Sequence, residues 1–326
     1  MKTPPPKPKL QRQRGAALLL AMIILVLITS VTAGMVWQQA RAVQVESAER
    51  ARAQAGWILS GALDWARLIL REDARTRRQG GHVFDSLDEP WATPLAEARL
   101  STFLAADKDN NVDAGPEAFI SGTIVDAQSR FNLRGLIDGA GKVEPSQTAA
   151  LQRLATLAGA PGDTAAQIAD ALGQALAPTG DPGVQGPPIK PARLTDLVWL
   201  GIAPGTLERL APWVDLLPVA TPVNANTAPR EVLLAAIDGL DTGTAERLLQ
   251  ARQRQPFETL AAVQVLLPAG VTADAARVSV GSNWFEVAGR LRLEERVLEE
   301  RSLVQREGNG VSVRRRERQS FSTPAR

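Results

Sequence analysis

The sequence contains no cysteine and no tyrosine, and its only histidine is His82. The missing thiols exclude disulfides, zinc–thiolate sites, iron–sulfur clusters and cysteine nucleophiles. A lone imidazole excludes metal sites built on several histidines. His82 has Asp85 and Asp88 close by in sequence, but no nucleophile motif surrounds it. A histidine in a turn is the simpler reading, and the side chains an enzyme would need are scarce. An excess of one charge is also lacking: Lys plus Arg is 37, Asp plus Glu is 35, and the net charge is +2. That balance hides an asymmetry. Lys2, Lys7, Lys9, Arg12 and Arg14 all precede residue 16, with no acid among them. Without these five, 32 cations face 35 acids in the rest of the chain. Binding nucleic acid through phosphate needs cations clustered on the folded part, so a nucleic-acid coat is disfavoured. The length of 326 residues suits one large domain or two modest ones.

What is present begins with an apolar run. Residues 16–40 carry no charged side chain, and Ala16 to Ile28 is almost wholly aliphatic. A helix rising about 1.5 Å per residue needs roughly 20 such residues to cross a bilayer. The upstream cations would hold the N-terminal end in the cytoplasm and send the remainder outward, and Trp37 stands where an interfacial anchor belongs. A plain signal anchor, or a signal cleaved near Thr32-Ala33-Gly34, fits the composition as well. The junction Arg14-Gly15-Ala16 sets a basic leader and a glycine directly before the apolar run. It resembles the type IV prepilin-like signal, which a prepilin peptidase cuts after the glycine. That resemblance implies Gly15 as the last leader residue and Ala16 as the mature N-terminus, a position methylated in such proteins. Members of that family commonly carry Glu five residues into the mature chain. Here the position is Leu20.

The helical pattern continues past the membrane segment to about Arg78. Ala48, Ala51, Ala55, Ile58, Leu59, Ala62, Ala66 and Ile69 recur at three- and four-residue steps and make one stripe. Glu46–Arg50 and Glu49–Arg52 are spaced for surface ion pairs. Residues 79–90 are turn-rich, and Phe119 to Val125 reads as a strand followed by Asp126 to Leu133. Between these, Asp107, Asp109, Asn111 and Asp113 place oxygen side chains on alternate residues. A short loop wraps a hard cation such as calcium in this way. Val112 stands where the loop of an EF-hand has glycine, and Ala118 where it has the bidentate Glu. A solvated acidic turn is the alternative.

From Leu136 to Ala269 the composition turns rich in Ala and Leu, punctuated by Gly and Pro. Thr148 to Ala158 and Thr164 to Ala177 read as helices, and residues 178–188 as a proline-rich loop. Leu194 to Leu210 and Val232 to Leu249 each read as an apolar helix, a glycine-bearing turn and a second helix. This outline resembles helix-hairpin-helix modules, in which backbone N–H groups of the hairpin meet phosphate. The stretches Val223 to Leu233 and Ala251 to Phe257 also resemble DNA-receptor domains of competence proteins. The electrostatics oppose that use. Asp238 and Asp241 sit where a phosphate would lie, and the first hairpin has no cation. Arg247, Arg252 and Arg254 are the remaining candidates for a basic patch.

Near the C-terminus, Ala276 to Leu293 alternates apolar and polar residues in two stretches. Glu294 to Glu307 fits strand or helix, and Gly308-Asn309-Gly310 is a hairpin signal before Val311 to Val313. An antiparallel meander is expected there, ended by a basic tail from Arg314 to Arg318.

The order is prepilin-like leader, long helix, strand, helical insertion, strands. With Arg14 to Leu20, Asp126 to Leu133, Val223 to Ala228 and Val278 to Phe285, it resembles the K subunits of the type II secretion pseudopilus (general secretion pathway protein K), a minor pseudopilin family. The resemblance implies an α+β fold: a pilin-like long N-terminal helix packed on an antiparallel sheet, with a large all-α, helix-hairpin-helix or SAM-like domain inserted. Its parts would be a leader over 1–15, a transmembrane part over 16–40, a pilin-like part over 41–135, an inserted helical domain over 136–270, and the closing strands over 271–326. It further implies a non-enzymatic, single-pass protein of the bacterial inner membrane with its bulk in the periplasm. The implied partners are the I and J minor pseudopilins, the major pseudopilin, the prepilin peptidase and exported proteins, and calcium is the implied cofactor. In a fibre, a buried Glu near the N-terminus neutralises the terminal amine of a neighbouring subunit. A cap with no subunit above it has no such neighbour, and an unpaired carboxylate in hydrocarbon is costly, which accounts for Leu20. The expected role is a tip that nucleates or caps the pseudopilus. The rival expectation is a membrane-anchored DNA-binding module using the two hairpins.

Overall fold

The computed structural model describes residues 14–78, 83–100, 118–176, 189–293, 296–308 and 310–322. In chain order the helices are α1 (Arg14–Arg78), α2 (Pro145–Leu157), α3 (Thr164–Leu176), α4 (Pro204–Leu210), α5 (Arg230–Ala236), α6 (Thr242–Arg254) and α7 (Leu260–Val265). The strands are β1 (Leu95–Arg99), β2 (Ala118–Asp126), β3 (Phe131–Asn132), β4 (Val214–Asp215), β5 (Val223–Asn224), β6 (Val278–Ser279), β7 (Trp284–Leu293), β8 (Arg296–Glu307) and β9 (Gly310–Ser322). The chain divides into two compact units, one ending at Ile58 and one beginning at Leu59.

The first unit is the stem of α1. Its aliphatic residues, from Leu18 through Ile28 to Val36, are exposed, as is Trp37. By length and composition this is a helix able to cross a membrane. Thr29 and Thr32 turn their hydroxyls back onto Leu25 and Ile28 carbonyls, which hides two polar groups in an apolar run.

In the second unit, α1 continues to Arg78, where the helix was expected to stop. Leu59, Leu63, Ala66, Leu70 and Ala74 are buried at three- and four-residue intervals. They face an antiparallel five-stranded sheet in the order β1-β2-β7-β8-β9. Leu63, Ala66 and Leu70 pack with Trp91, Phe285, Val287, Val304 and Val311. Trp91 meets Phe285 edge to face at 5.1 Å. Gly289 sits under Leu59: a Cβ there would lie 3.2 Å from the leucine Cδ2, so glycine lets helix and sheet approach. Arg67 of α1 donates to the Val311 carbonyl of the edge strand at 3.0 and 2.8 Å.

The segment Glu294 to Glu307, open to either reading from sequence, is strand β8 over its described part. The hairpin into β9 pairs Glu307 with Gly310, and Gly308 takes φ 57°, which an L side chain adopts poorly. Arg314 to Arg318 departs from expectation. It lies inside β9, which runs to Ser322. The strand persists without apolar residues because Arg316 and Arg318 pair with buried Glu300 across the ladder, and Arg315 pairs with Glu317. Val278 and Ser279 also differ from expectation. They pair in parallel with Val223 and Asn224 and stand outside the meander.

The helices share a second core, whose packed residues run from Phe131 to Val280. α2 opens with proline at its first turn, and α3 buries Ala165, Ile168, Ala169, Leu172 and Ala175 on one face. The first expected hairpin is a 3-10 turn, Leu194–Leu200, followed by α4. The second is α5 and α6, joined through Gly239 at φ 77°. Asp241 caps α6 by accepting from the Thr244 N–H at 2.9 Å, and Thr259 caps α7.

Candidate functional site

Three of the stretches that carried the family resemblance converge on one buried polar joint. Asp126 ends β2, Asn224 ends β5 and Thr227 follows it, and Ser282 lies just before β7; all four are buried. The Asp126 Oδ2 accepts from Ser282 Oγ at 2.6 Å, Thr227 Oγ1 at 2.6 Å and Asn224 Nδ2 at 3.0 Å. Its Oδ1 accepts from the Gln128 N–H at 2.8 Å. Removal from water pushes the Asp126 carboxyl from 3.8 up to about 6; the Ser282 and Thr227 hydroxyls oppose the shift and the nearby Asp85 carboxylate adds to it.

The joint has a second carboxylate. Asp85 is wholly buried; its Oδ2 accepts from the Ser282 N–H at 2.6 Å and its Oδ1 from Arg306 Nη2 at 2.5 Å. Arg306 also donates to the Ser282 carbonyl at 2.6 Å, pairs with Asp73 of α1 and lies over the Phe285 ring at 4.9 Å. One guanidinium thus ties α1, the turn after it, the Ser282 loop and the sheet together. Asp73, Asp85 and Glu89 place carboxylate oxygens within 4.8 Å of one another. Donors already engage all three: Arg306 serves the two aspartates and the Trp91 indole N–H serves Glu89. The cluster is a salt-bridged support.

The remaining signature residues extend the joint. Gln128 Oε1 accepts from the Asn283 N–H at 2.7 Å, and its amide donates to Pro222 O at 3.0 Å. Asn132 donates to Val219 O and accepts from Arg134 and Leu217 N–H groups. Asn226 donates to Phe257 O at 2.9 Å and accepts from the Phe257 N–H at 2.8 Å, pinning the segment between α6 and α7. Chemically the site holds two bodies of chain in one orientation. Every polar group in it is matched, which is what makes burying such a network tolerable.

Sequence reasoning singled out these motifs but not the residues that complete them. Asp85 was noted only as a neighbour of His82, and Arg306 lies in a charged stretch with nothing local to mark it as buried. His82 itself lies outside the described residues, as do Asp107, Asp109, Asn111 and Asp113. Gly15 and Ala16 fall in the first turn of α1, and Leu20 is exposed on the stem.

At the second hairpin both acids are engaged by groups of the same chain. Asp238 pairs with Arg153 and, at 2.6 Å, with Arg277. The Arg277 hydrogen bond holds its carboxyl below the usual range. Asp241 is spent on the α6 cap. Arg153 and Arg277 are thus both paired with Asp238, while Arg247 donates to the Thr244 hydroxyl at 2.7 Å.

Two models of the type II secretion system protein K family match the chain, one over residues 129–219 and one over residues 223–281. Both stretches lie within the span of the helical core and carry the joint residues Asn132, Asn224, Asn226 and Thr227. The chain is 28% identical to the type II secretion system protein K of Pseudomonas aeruginosa, over 83% of this chain and 82% of that protein. It is 28% identical to the protein of the same description from Pectobacterium carotovorum subsp. carotovorum, over 91% of this chain and 94% of the relative. In fold it is similar to a chain of the crystal structure of the GspK–GspI–GspJ complex from the enterotoxigenic Escherichia coli type 2 secretion system. The TM-score is 0.61 at 20% identity, covering 83% of this chain and 98% of that one. The chain is thus similar to the type II secretion system protein K family.

Proposed function

We propose that this chain is a minor pseudopilin that sits at the tip of a type II secretion pseudopilus, where it nucleates or caps the fibre and carries no catalytic activity. The observation that carries this reading is α1: one helix from Arg14 to Arg78, apolar and exposed along its stem, then packed on the sheet through Leu59, Leu63, Ala66 and Leu70. Such a helix can rest in the inner membrane before assembly and pack against like stems afterwards. In this reading a prepilin peptidase cuts between Gly15 and Ala16, the new amine is methylated, and the folded bulk lies in the periplasm. Leu20 suits a terminal position, since no amine from a further subunit needs a carboxylate there. The relative of known structure is in complex with GspI and GspJ. We assign the corresponding I and J subunits as partners here, with the major subunit added below. The joint centred on Asp126 would hold the helical insertion fixed against the sheet, so that its bulk obstructs stacking on one side.

N-terminal sequencing of the membrane-extracted protein tests the processing step. The expected first residue is Ala16, and a Gly15→Val variant should keep its leader and fail to support secretion. A mature chain that starts beyond residue 30, or full secretion by the uncut variant, would refute the assignment. Co-purification of I and J subunits with the processed chain tests the tip assembly.

A further inference from the structure

A cavity of about 60 Å³ lies between α1 and the sheet, with Leu59 and Leu63 of the helix, Trp91, and Gly122, Val287 and Gly289 of the strands in its lining. Gly122 and Gly289 face each other across β2 and β7, which leaves the sheet without side chains at that point. Two polar side chains of β8, Glu300 and Ser302, also line the cavity. Val304 packs under α1, and Ser302 and Glu300 precede it at two-residue steps, so all three share the helix-facing side of the strand. Glu300 is 3% exposed and Ser302 is 1% exposed. Glu300 Oε2 accepts from Arg318 Nε at 2.5 Å. Its Oε1 lies 3.3 Å from Arg316 Nε without a hydrogen bond, and among the described residues Ser302 Oγ has no hydrogen-bond partner either. A buried oxygen kept dry in this way charges its full desolvation to the fold.

We infer that this cavity is a binding site for neutral hydroxyl groups: ordered water, or the hydroxyl of a small alcohol, bridges Glu300 Oε1 and Ser302 Oγ beneath α1. The room suffices, since one water needs roughly 10–15 Å³ of such volume and about four would fit. The two residues stand about 6–7 Å apart along the strand, a span that bridging hydroxyls cover. A hydroxyl suits both atoms, because it donates to the carboxylate and can donate to or accept from the serine. The occupant is neutral, because Glu300 already has Arg316 and Arg318 beside it and the apolar walls penalise a further charge. The inference does not rest on the tip assignment.

The test uses the full chain in neutral detergent, with labelled methyl groups, and reads nuclear Overhauser cross-peaks between water and the methyls of Val287 and Leu63. Both residues are buried, so bulk water does not reach them. Cross-peaks with the sign of long-lived water are expected, and they should weaken in Ser302→Ala. The same variant gives a second readout. Removing a dry, unpartnered hydroxyl would raise Tm, whereas removing a hydrated one should lower it by about 2–4 °C. Added ethanol separates the two sources. Loss of the water cross-peaks with new ones from the ethanol methyl assigns the site to alcohols as well, and unchanged water cross-peaks assign it to water; both outcomes support a hydroxyl site. Absence of the water cross-peaks in the unsubstituted chain, or a higher Tm in Ser302→Ala, overturns the proposal. Displacement of the water by methylammonium would show a cation site, and the proposal would fail on that result too.

Discussion

Asp126 makes the stability of the folded bulk depend on pH in an unusual direction. Its carboxyl is at about 6 in the folded chain against 3.8 when free, and burial is the main cause. Protonation therefore favours the fold. The contribution is fully present below about pH 4 and is lost as pH rises through about 6. The whole gap corresponds to about 3 kcal/mol, of which roughly 1.5 kcal/mol falls between pH 5 and pH 7.5. The perturbation is Asp126→Asn, which has no charge to bury at any pH. The amide must turn an NH2 toward either Asn224 or the Gln128 N–H, so the variant loses one hydrogen bond, about 1–3 kcal/mol. The assay is urea unfolding of the full chain in neutral detergent at a series of pH values, followed by tryptophan fluorescence; Trp91 and Trp284 are buried reporters. The quantity to plot is wild-type minus variant stability, since other titrating groups cancel in it. That difference should shrink by roughly 1.5 kcal/mol from pH 5 to pH 7.5, a midpoint shift of about 3–6 °C in the equivalent thermal experiment. A difference independent of pH, or one that grows with pH, would show that Asp126 is ionised in the folded chain well below pH 6 and that the joint is not dry.

Two further outcomes follow from the packing. Arg306→Met should remove about 3–5 kcal/mol, because Asp73 and the wholly buried Asp85 lose their common cation, and chemical denaturation should show a lowered midpoint. A cost below 1 kcal/mol would mean that the two carboxylates find other donors. Gly289→Val should cost about 1–3 kcal/mol by pushing Leu59 and α1 off the sheet, measurable as a lower Tm with helix content retained, whereas an unchanged Tm would place α1 farther from β7.

The sequence by itself determined whatever depends on local pattern. An uncharged run from Ala16 to Ala40 is enough to predict a membrane-length helix, because transfer from water is a property of composition. A stripe at three- and four-residue steps is enough to carry that helix to Arg78. Gly308-Asn309-Gly310 was enough to place the last hairpin, since the turn demands a positive φ. The motifs at Asp126, Asn224 and Ser282 were visible as family marks, but their common purpose was not. They lie up to 156 residues apart, and only folding brings their side chains to 2.6 Å. Tertiary structure also decided the fate of the charges. Glu300 and Arg306 look like solvent-facing residues in a charged stretch, yet both are buried, Glu300 paired with arginines of the neighbouring strand and Arg306 with Asp73 of α1 and Asp85 of the turn after it. Arg314 to Arg318 reads as a tail, and becomes strand because cross-strand acids neutralise it. The local chain fixes a residue's conformational preference, while its partners and its exposure to water are set by segments far away in sequence.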